Sequence, residues 1–283
     1  MTETTVIRTT DGREVAFCQW GQADGSPLFY LHGSFGGRLA RHVGGEYERN
    51  GLRVITYDRP GFGRSTRLRG RTIAQAAGDV ARIADTLGLH AFGVLGVSGG
   101  GPYALAVAAL LPDQVTRCAT LVAGAPYDAE GLDFFTGMDD VTRADWQATV
   151  ADGADYLLAD YHATLEWLDA FEAEPGDLSP EVHRMAVVAF RDGLAPGPGG
   201  YVDDGLAVVR PWGFEIAKVA VPTRVMLARQ DSSVPAAHGE WLVQHLPRGE
   251  LVWVEGGHFG PRAEAEEQLL AWLGGHPSNA ADP

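Results

Sequence analysis

Apolar positions along the chain fall into two rhythms. Short, nearly unbroken apolar runs at Pro27–Leu31, Arg53–Tyr57, Ala91–Val97, Val115–Val122, Thr223–Ala228 and Leu251–Val254 predict buried strands. Val6–Arg8 and Glu14–Trp20 predict two more, joined by the turn Thr10-Asp11-Gly12-Arg13. Longer stretches repeat their apolar residues at helical spacing. In Thr72–Leu87 the residues Ile73, Ala76, Ala77, Val80, Ile83, Ala84 and Leu87 form one stripe, and Gly88 closes it. Helices are likewise expected over Arg38–Asn50, Pro102–Leu111, Pro235–Leu246 and Pro261–Leu273. The polar tail Gly274 to Pro283 is expected to fray.

Strand and helix alternate from Pro27 to Val122 and again from Thr223 onward. That order implies right-handed crossovers and an α/β architecture, a mostly parallel sheet flanked by helices. The alternation breaks at Ala125-Pro126. The segment that follows predicts helices around Asp133–Met138, Arg143–Glu172, Pro180–Asp192 and Gly205–Arg210, interrupted at Glu174-Pro175-Gly176-Asp177 and at Ala195 to Gly200. Residues 1–126 and 213–283 are therefore read as the core, and 127–212 as an inserted α-helical cap.

Charge sharpens that boundary. The 283-residue chain carries a net charge of −15, which argues against nucleic acid or an anionic membrane as partner. Between Tyr127 and Trp212 there are 18 acidic and 4 basic side chains, so −14 of the excess sits in the cap. Such a segment is expected to place a negative potential above the mouth of a site beneath it, favouring neutral or cationic substrates. Cys18 and Cys118 suggest small core residues, not a disulfide framework. Met1 to Thr10 has neither the basic nor the apolar region of a signal peptide, and no apolar run approaches the roughly 18 residues of a membrane helix. A cytoplasmic protein is expected.

The chemistry gathers at Gly96-Val97-Ser98-Gly99-Gly100, where the strand Ala91–Val97 stops and a helix begins. This is the G-x-S-x-G pattern of a nucleophile elbow. Ser98 must take a strained backbone conformation to lift its hydroxyl off the turn, and a Cβ at 96 or 100 would crowd it. The Gly99 N–H points to the helix entrance, where an oxyanion can be held. Two later loops follow strands in the same way: Asp231 after Thr223–Ala228 and His258 after Leu251–Val254. All three residues fall at the carboxyl ends of strands, the edge at which open α/β sheets build their sites. Asp128, beyond Val115–Val122, is the rival acid.

With its Ser98…Asp231…His258 order, His32-Gly33 after the third strand, and Asp58…Gly61-Phe62-Gly63-Arg64-Ser65 after the fourth, the chain resembles an α/β-hydrolase-fold serine hydrolase with a helical cap. The resemblance spans about Val6 to Gly274, although the cap matches only in position and helicity. It implies a cofactor-free, esterase-like enzyme acting through an acyl-serine intermediate. Ser98 is then the nucleophile, His258 the base that takes its proton, and Asp231 the acid that orients the imidazole. Gly99 supplies one oxyanion-hole N–H and, by resemblance, Ser34 the other; losing one such donor costs about 3 kcal/mol of transition-state stabilisation.

His32 is expected to order the oxyanion loop, and Asp58 and Ser65 to tie their own loop. Substrate contacts are expected from Phe35, from Phe134 and Trp167 of the cap, and from Phe259 beside His258. The histidines show no metal-ligand spacing, so no metal is expected. The partner is expected to be a small molecule with an apolar group.

The same three residues would also serve a carbon–carbon bond hydrolase or an iminopeptidase-like amidase. In the latter, cap carboxylates would hold a free amine, but the usual His-Gly-Gly-Pro-Gly loop is here His32-Gly33-Ser34-Phe35-Gly36. Perhydrolase or haloperoxidase activity stays open too. A slow-turnover ligand receptor or regulatory protein on this fold is the alternative of a different class.

Overall fold

The computed structural model describes residues 3–174, 176, 178–260 and 263–275. Pro175 and Asp177 of the expected break, Pro261 at the expected start of the last helix, and residues 276–283 of the tail lie outside them. The strands are β1 (Thr5–Arg8), β2 (Glu14–Gly21), β3 (Ser26–Leu31), β4 (Leu52–Tyr57), β5 (Phe92–Val97), β6 (Val115–Leu121), β7 (Thr223–Ala228) and β8 (Gly249–Val254). They form one sheet in the order β1-β2-β4-β3-β5-β6-β7-β8. Pairings β1–β2 and β2–β4 are antiparallel, and the rest are parallel.

Both faces of the sheet are covered, as parallel strands require. Successive side chains of a strand point to opposite faces, so Phe29 and Leu31 pack on one side while Leu28 packs on the other. The first side is closed by α2 (Ala76–Leu87), α3 (Gly101–Leu110) and α8 (Ala236–His245), through Val80, Ile83, Leu105 and Leu242. The second is closed by Tyr47 of the short α1 (Glu46–Arg49) and by Leu269, Leu270 and Leu273 of α9 (Ala263–Leu273). Helix α3 is apolar all round and all but its last residue is buried, as expected of a helix with no solvent face.

The expected helix over Arg38–Asn50 shrinks to α1. Gly44 and Gly45 take φ of 99° and 82°, which ends any helix there, and Arg38 is held by Asp58 instead. The cap segment also differs in detail. Gly153, with φ 57° and ψ −120°, divides the expected long helix into α4 (Asp140–Asp152) and α5 (Ala154–Ala173). Asp139 starts α4 by accepting a hydrogen bond from Thr142 N at 2.8 Å. No helix forms at Asp133–Met138, because the Asp133 carboxylate accepts from Phe135 N and Thr136 Oγ1 and stabilises a turn. Then come α6 (Pro180–Leu194) and α7 (Gly199–Val208), the latter starting earlier than Gly205. The early start has a packing reason. A Cβ on Gly200 would lie 2.5 Å from the Gly61 carbonyl, so the helix can approach the loop after β4 only with glycine there.

Candidate active site

The strand β5 delivers Ser98 with φ 51°, a left-handed conformation for a residue with a side chain. The flanking glycines are required by contact: a Cβ on Gly96 would lie 2.3 Å from Gly100 O, and one on Gly100 would lie 2.1 Å from Leu31 O. Ser98 Oγ stands 2.9 Å from His258 Nε2, and His258 Nδ1 stands 2.9 Å from Asp231 Oδ2. A carboxylate only accepts, so the ring proton lies on Nδ1, and Nε2 is left to accept from the Ser98 hydroxyl.

Asp231 is itself held. Its Oδ1 accepts from Ser233 N at 2.9 Å and Val234 N at 2.8 Å, leaving Oδ2 for the imidazole. Its loop is tied to the His258 loop through Gln230 N to Gly256 O. Asp231 thus occupies the position beside His258 Nδ1, while Asp128 is exposed.

The loop after β3 lies against the elbow. A Cβ on Gly99 would fall 2.7 Å from Ser34 Oγ and 3.2 Å from Ser34 N, so the two residues expected to supply the oxyanion donors lie side by side. His32 is buried, and its Nδ1–H donates to Gly33 O at 2.8 Å. Burial, reinforced by the Arg59 guanidinium, pushes the imidazole well below its ordinary range, so it stays neutral. Asp58 does more than close its own loop. It accepts from Arg64 N, and also from Arg38 N at 2.6 Å and Arg38 Nη1 at 2.8 Å. Ser65 Oγ accepts from Ala16 N.

The four expected substrate contacts separate. Phe35 packs edge-on against Trp167 and Phe190 of the cap, and Trp167 stacks on Phe171. Phe259 sits edge-on to His258 and is 75% exposed. Phe134 is buried among Tyr127, Phe135, Trp146 and His238.

Several residues here carried no separate signal in the sequence. Val122, directly after β6, takes φ 47°, an outlier for a β-branched residue, and its N–H bonds Met226 O. His238 is buried between Ala125 N, which donates to Nδ1, and Phe134 O, which accepts from Nε2. Acids of the cap meet arginines of the core: Asp192 with Arg38, Asp203 with Arg67, and Asp204 with Arg59 and Arg71. Only the Asp203-Asp204 pair and the Arg59 beside Asp58 could have hinted at this, and neither identified a partner.

Among the described residues no group of three or more His, Cys, Asp or Glu could hold a metal ion, and no helix is long and apolar enough to cross a membrane.

Comparison with known proteins shows the family. The family described as alpha/beta hydrolase fold matches residues 26–261. A proline iminopeptidase of Neisseria meningitidis is 23% identical over 301 residues, covering 94% of this chain and 96% of the relative. A bifunctional esterase/perhydrolase of Acinetobacter calcoaceticus is 26% identical over 279 residues, covering 94% and 98%. The crystal structure of a bromoperoxidase from Bacillus anthracis superposes with a TM-score of 0.70 at 22% identity, covering 96% and 98% of the two chains, a likeness of fold.

Proposed function

As the chain belongs to the α/β-hydrolase-fold family, we propose that it is a serine hydrolase that cleaves carboxylic esters through an acyl-serine intermediate. The observation that carries the reading is the hydrogen-bonded chain Ser98 Oγ, His258 Nε2, His258 Nδ1, Asp231 Oδ2, with 2.9 Å at each link. Ser98 Oγ attacks the ester carbonyl as its proton passes to His258 Nε2. The carbonyl oxygen, now negative, is stabilised by the Ser34 and Gly99 N–H groups. The carbon–oxygen bond then breaks, the alcohol leaves with the proton from His258, and water repeats the sequence to release the acid.

Phe35, Trp167 and Phe259 are proposed to contact an apolar acyl or alcohol group. The amide alternative needs cap carboxylates free to hold an amine. Asp192, Asp203 and Asp204, which face the core, are instead paired with arginines, and this favours the ester. A neutral ester is the expected substrate class, ahead of one bearing a carboxylate near the scissile bond.

A panel of activated esters, amides and lactones, run with a fluorophosphonate probe on wild type and Ser98→Ala, tests the reading. Wild type should turn over esters and label at Ser98, and Ser98→Ala should lose turnover by about 10⁶-fold, the scale of nucleophile loss in a serine protease. Labelling at another serine, or an active Ser98→Ala, would overturn it.

A further inference from the structure

One buried carboxylate joins the cap to the expected oxyanion loop and to the helix that leaves the elbow. Asp204, in α7, is 6% exposed. Its Oδ2 accepts from Arg59 Nη2 at 2.5 Å and Nε at 3.0 Å. Its Oδ1 accepts from Tyr103 Oη at 2.8 Å and from Arg71. Tyr103 lies in the first turn of α3, the helix that leaves the elbow. Burial opposes ionisation of Asp204, but the Arg59 and Arg71 guanidiniums outweigh it and hold the carboxyl down at about 2.

Arg59 has a second set of partners. Its Nη1 donates to His32 O at 2.5 Å and its Nη2 to Gly33 O at 2.8 Å. The Gly33 carbonyl and the Ser34 N–H belong to the same peptide group, which is planar and trans. Fixing the direction of that oxygen therefore fixes the opposite direction of the N–H. A guanidinium can do this because its donors are rigidly coplanar; a lysine ammonium could not meet Asp204 and both carbonyls with the same geometry.

We propose that Arg59, oriented by Asp204 of the cap, is a positioning residue that aims the Ser34 N–H at the oxyanion. The proposal rests on the serine-hydrolase reading and adds to it a coupling between cap and catalysis: transition-state stabilisation depends on the cap acid staying seated. Asp203, the adjacent residue of α7, supplies the contrast. It pairs with Arg67 and accepts from Gly70 N, and neither contact reaches the oxyanion loop.

The test compares wild type, Arg59→Lys, Asp204→Asn and Asp203→Asn on a neutral ester, with active enzyme counted by fluorophosphonate titration. Two inhibitors accompany it: a trifluoromethyl ketone, whose adduct with serine carries an oxyanion, and the matched methyl ketone. Arg59→Lys should lower kcat by about 10- to 100-fold with KM within about twofold, since misplacing a catalytic group by an ångström costs about that much. Affinity for the trifluoromethyl ketone should fall by the same factor, and that for the methyl ketone should hold.

Asp204→Asn should act in the same direction, and Asp203→Asn should leave kcat unchanged. If Asp204→Asn does not fold, Arg59→Lys and Asp203→Asn decide the matter alone. Equal weakening of both ketones, a change confined to KM, an unaffected Arg59→Lys, or an equal loss in Asp203→Asn would each overturn the positioning role. A wild type that neither hydrolyses esters nor labels at Ser98 would instead overturn the serine-hydrolase reading, and the proposal with it.

Discussion

The sheet and the seam beneath the cap both bury apolar residues, but the seam adds buried ion pairs that the sheet's packing lacks. In the sheet, neighbouring strands and helices meet through apolar side chains such as Phe29, Leu31, Ile55, Val94 and Leu105, all fully buried. At the seam, apolar contact of Phe35 and Phe62 with the cap is joined by Asp192 with Arg38, Asp203 with Arg67, and Asp204 with Arg59 and Arg71, alongside the glycine contact of Gly61 with Gly200. Apolar burial is non-directional and scales with area, so it builds a firm platform without aiming any one group. Charge-assisted hydrogen bonds are directional, and a fork of donors sets an orientation. The platform carries Ser98, Asp231 and His258 to one edge; the seam holds the loop that faces them.

The same contrast revises the reading of the cap's charge. Three of its 18 acids point at core arginines, so their charge is compensated where the cap meets the core. Asp140, by contrast, is fully exposed, and Asp169 is largely so. The uncompensated negative charge of the cap is therefore smaller than a sum over the segment suggests.

After the loss of Ser98 itself, the largest effect expected from breaking the platform's chemistry is that of Asp231→Asn. The change leaves the shape intact but lets the His258 ring take the wrong tautomer, and turnover should fall about 10⁴-fold, as in a serine protease. Steady-state kinetics beside an unchanged melting curve would bear this out, and near-full activity would refute it. Next comes Leu105→Ala, which opens a cavity under the sheet and should cost about 2–5 kcal/mol. Denaturation at low and high salt should give the same loss, because no charge is involved.

Asp203→Asn probes the seam and should cost only about 1 kcal/mol, since Arg67 is partly exposed to solvent. That loss should shrink as salt rises; a loss as large and as salt-insensitive as that of Leu105→Ala would erase the contrast. The smallest effect concerns His238. Its two ring nitrogens are engaged only when the ring is neutral, and burial lowers its affinity for a proton, against weaker raising effects of the Phe134 carbonyl and Asp231. The unfolded chain therefore binds more protons than the native one below about pH 6.5, and stability should decline as pH falls through that value. Buried His32 acts in the same direction. Urea midpoints at pH 7.5 and 5.5 should show the decline, and His238→Gln, which can keep both contacts, should reduce it.

Most of the sheet and the elbow could be read directly from the chain. Strand runs such as Val115 to Val122 and the glycines around Ser98 express local constraints: period, turn geometry and the absence of room for a Cβ. Legibility failed first where local signals conflict. Arg38–Asn50 has helical spacing, yet Gly44, Gly45 and the bond from Arg38 N to Asp58 override it. It failed again in the cap, where one glycine at 153 splits a helix and an aspartate at 133 stabilises a turn.

The succession of strands and helices along the chain, the elbow with its serine, and the acid and histidine that follow later strands were determined by the sequence itself, because each depends on neighbours a few residues away. Which cap acid meets which core arginine was decided only by the tertiary structure. Arg59 and Asp204 are separated by 145 positions, and nothing local distinguishes Asp204 from the other acids of the cap. The choice is made when α7 packs against the loop after β4, and desolvation then leaves the buried carboxylate no partners but the guanidiniums and the tyrosine hydroxyl that converge on it.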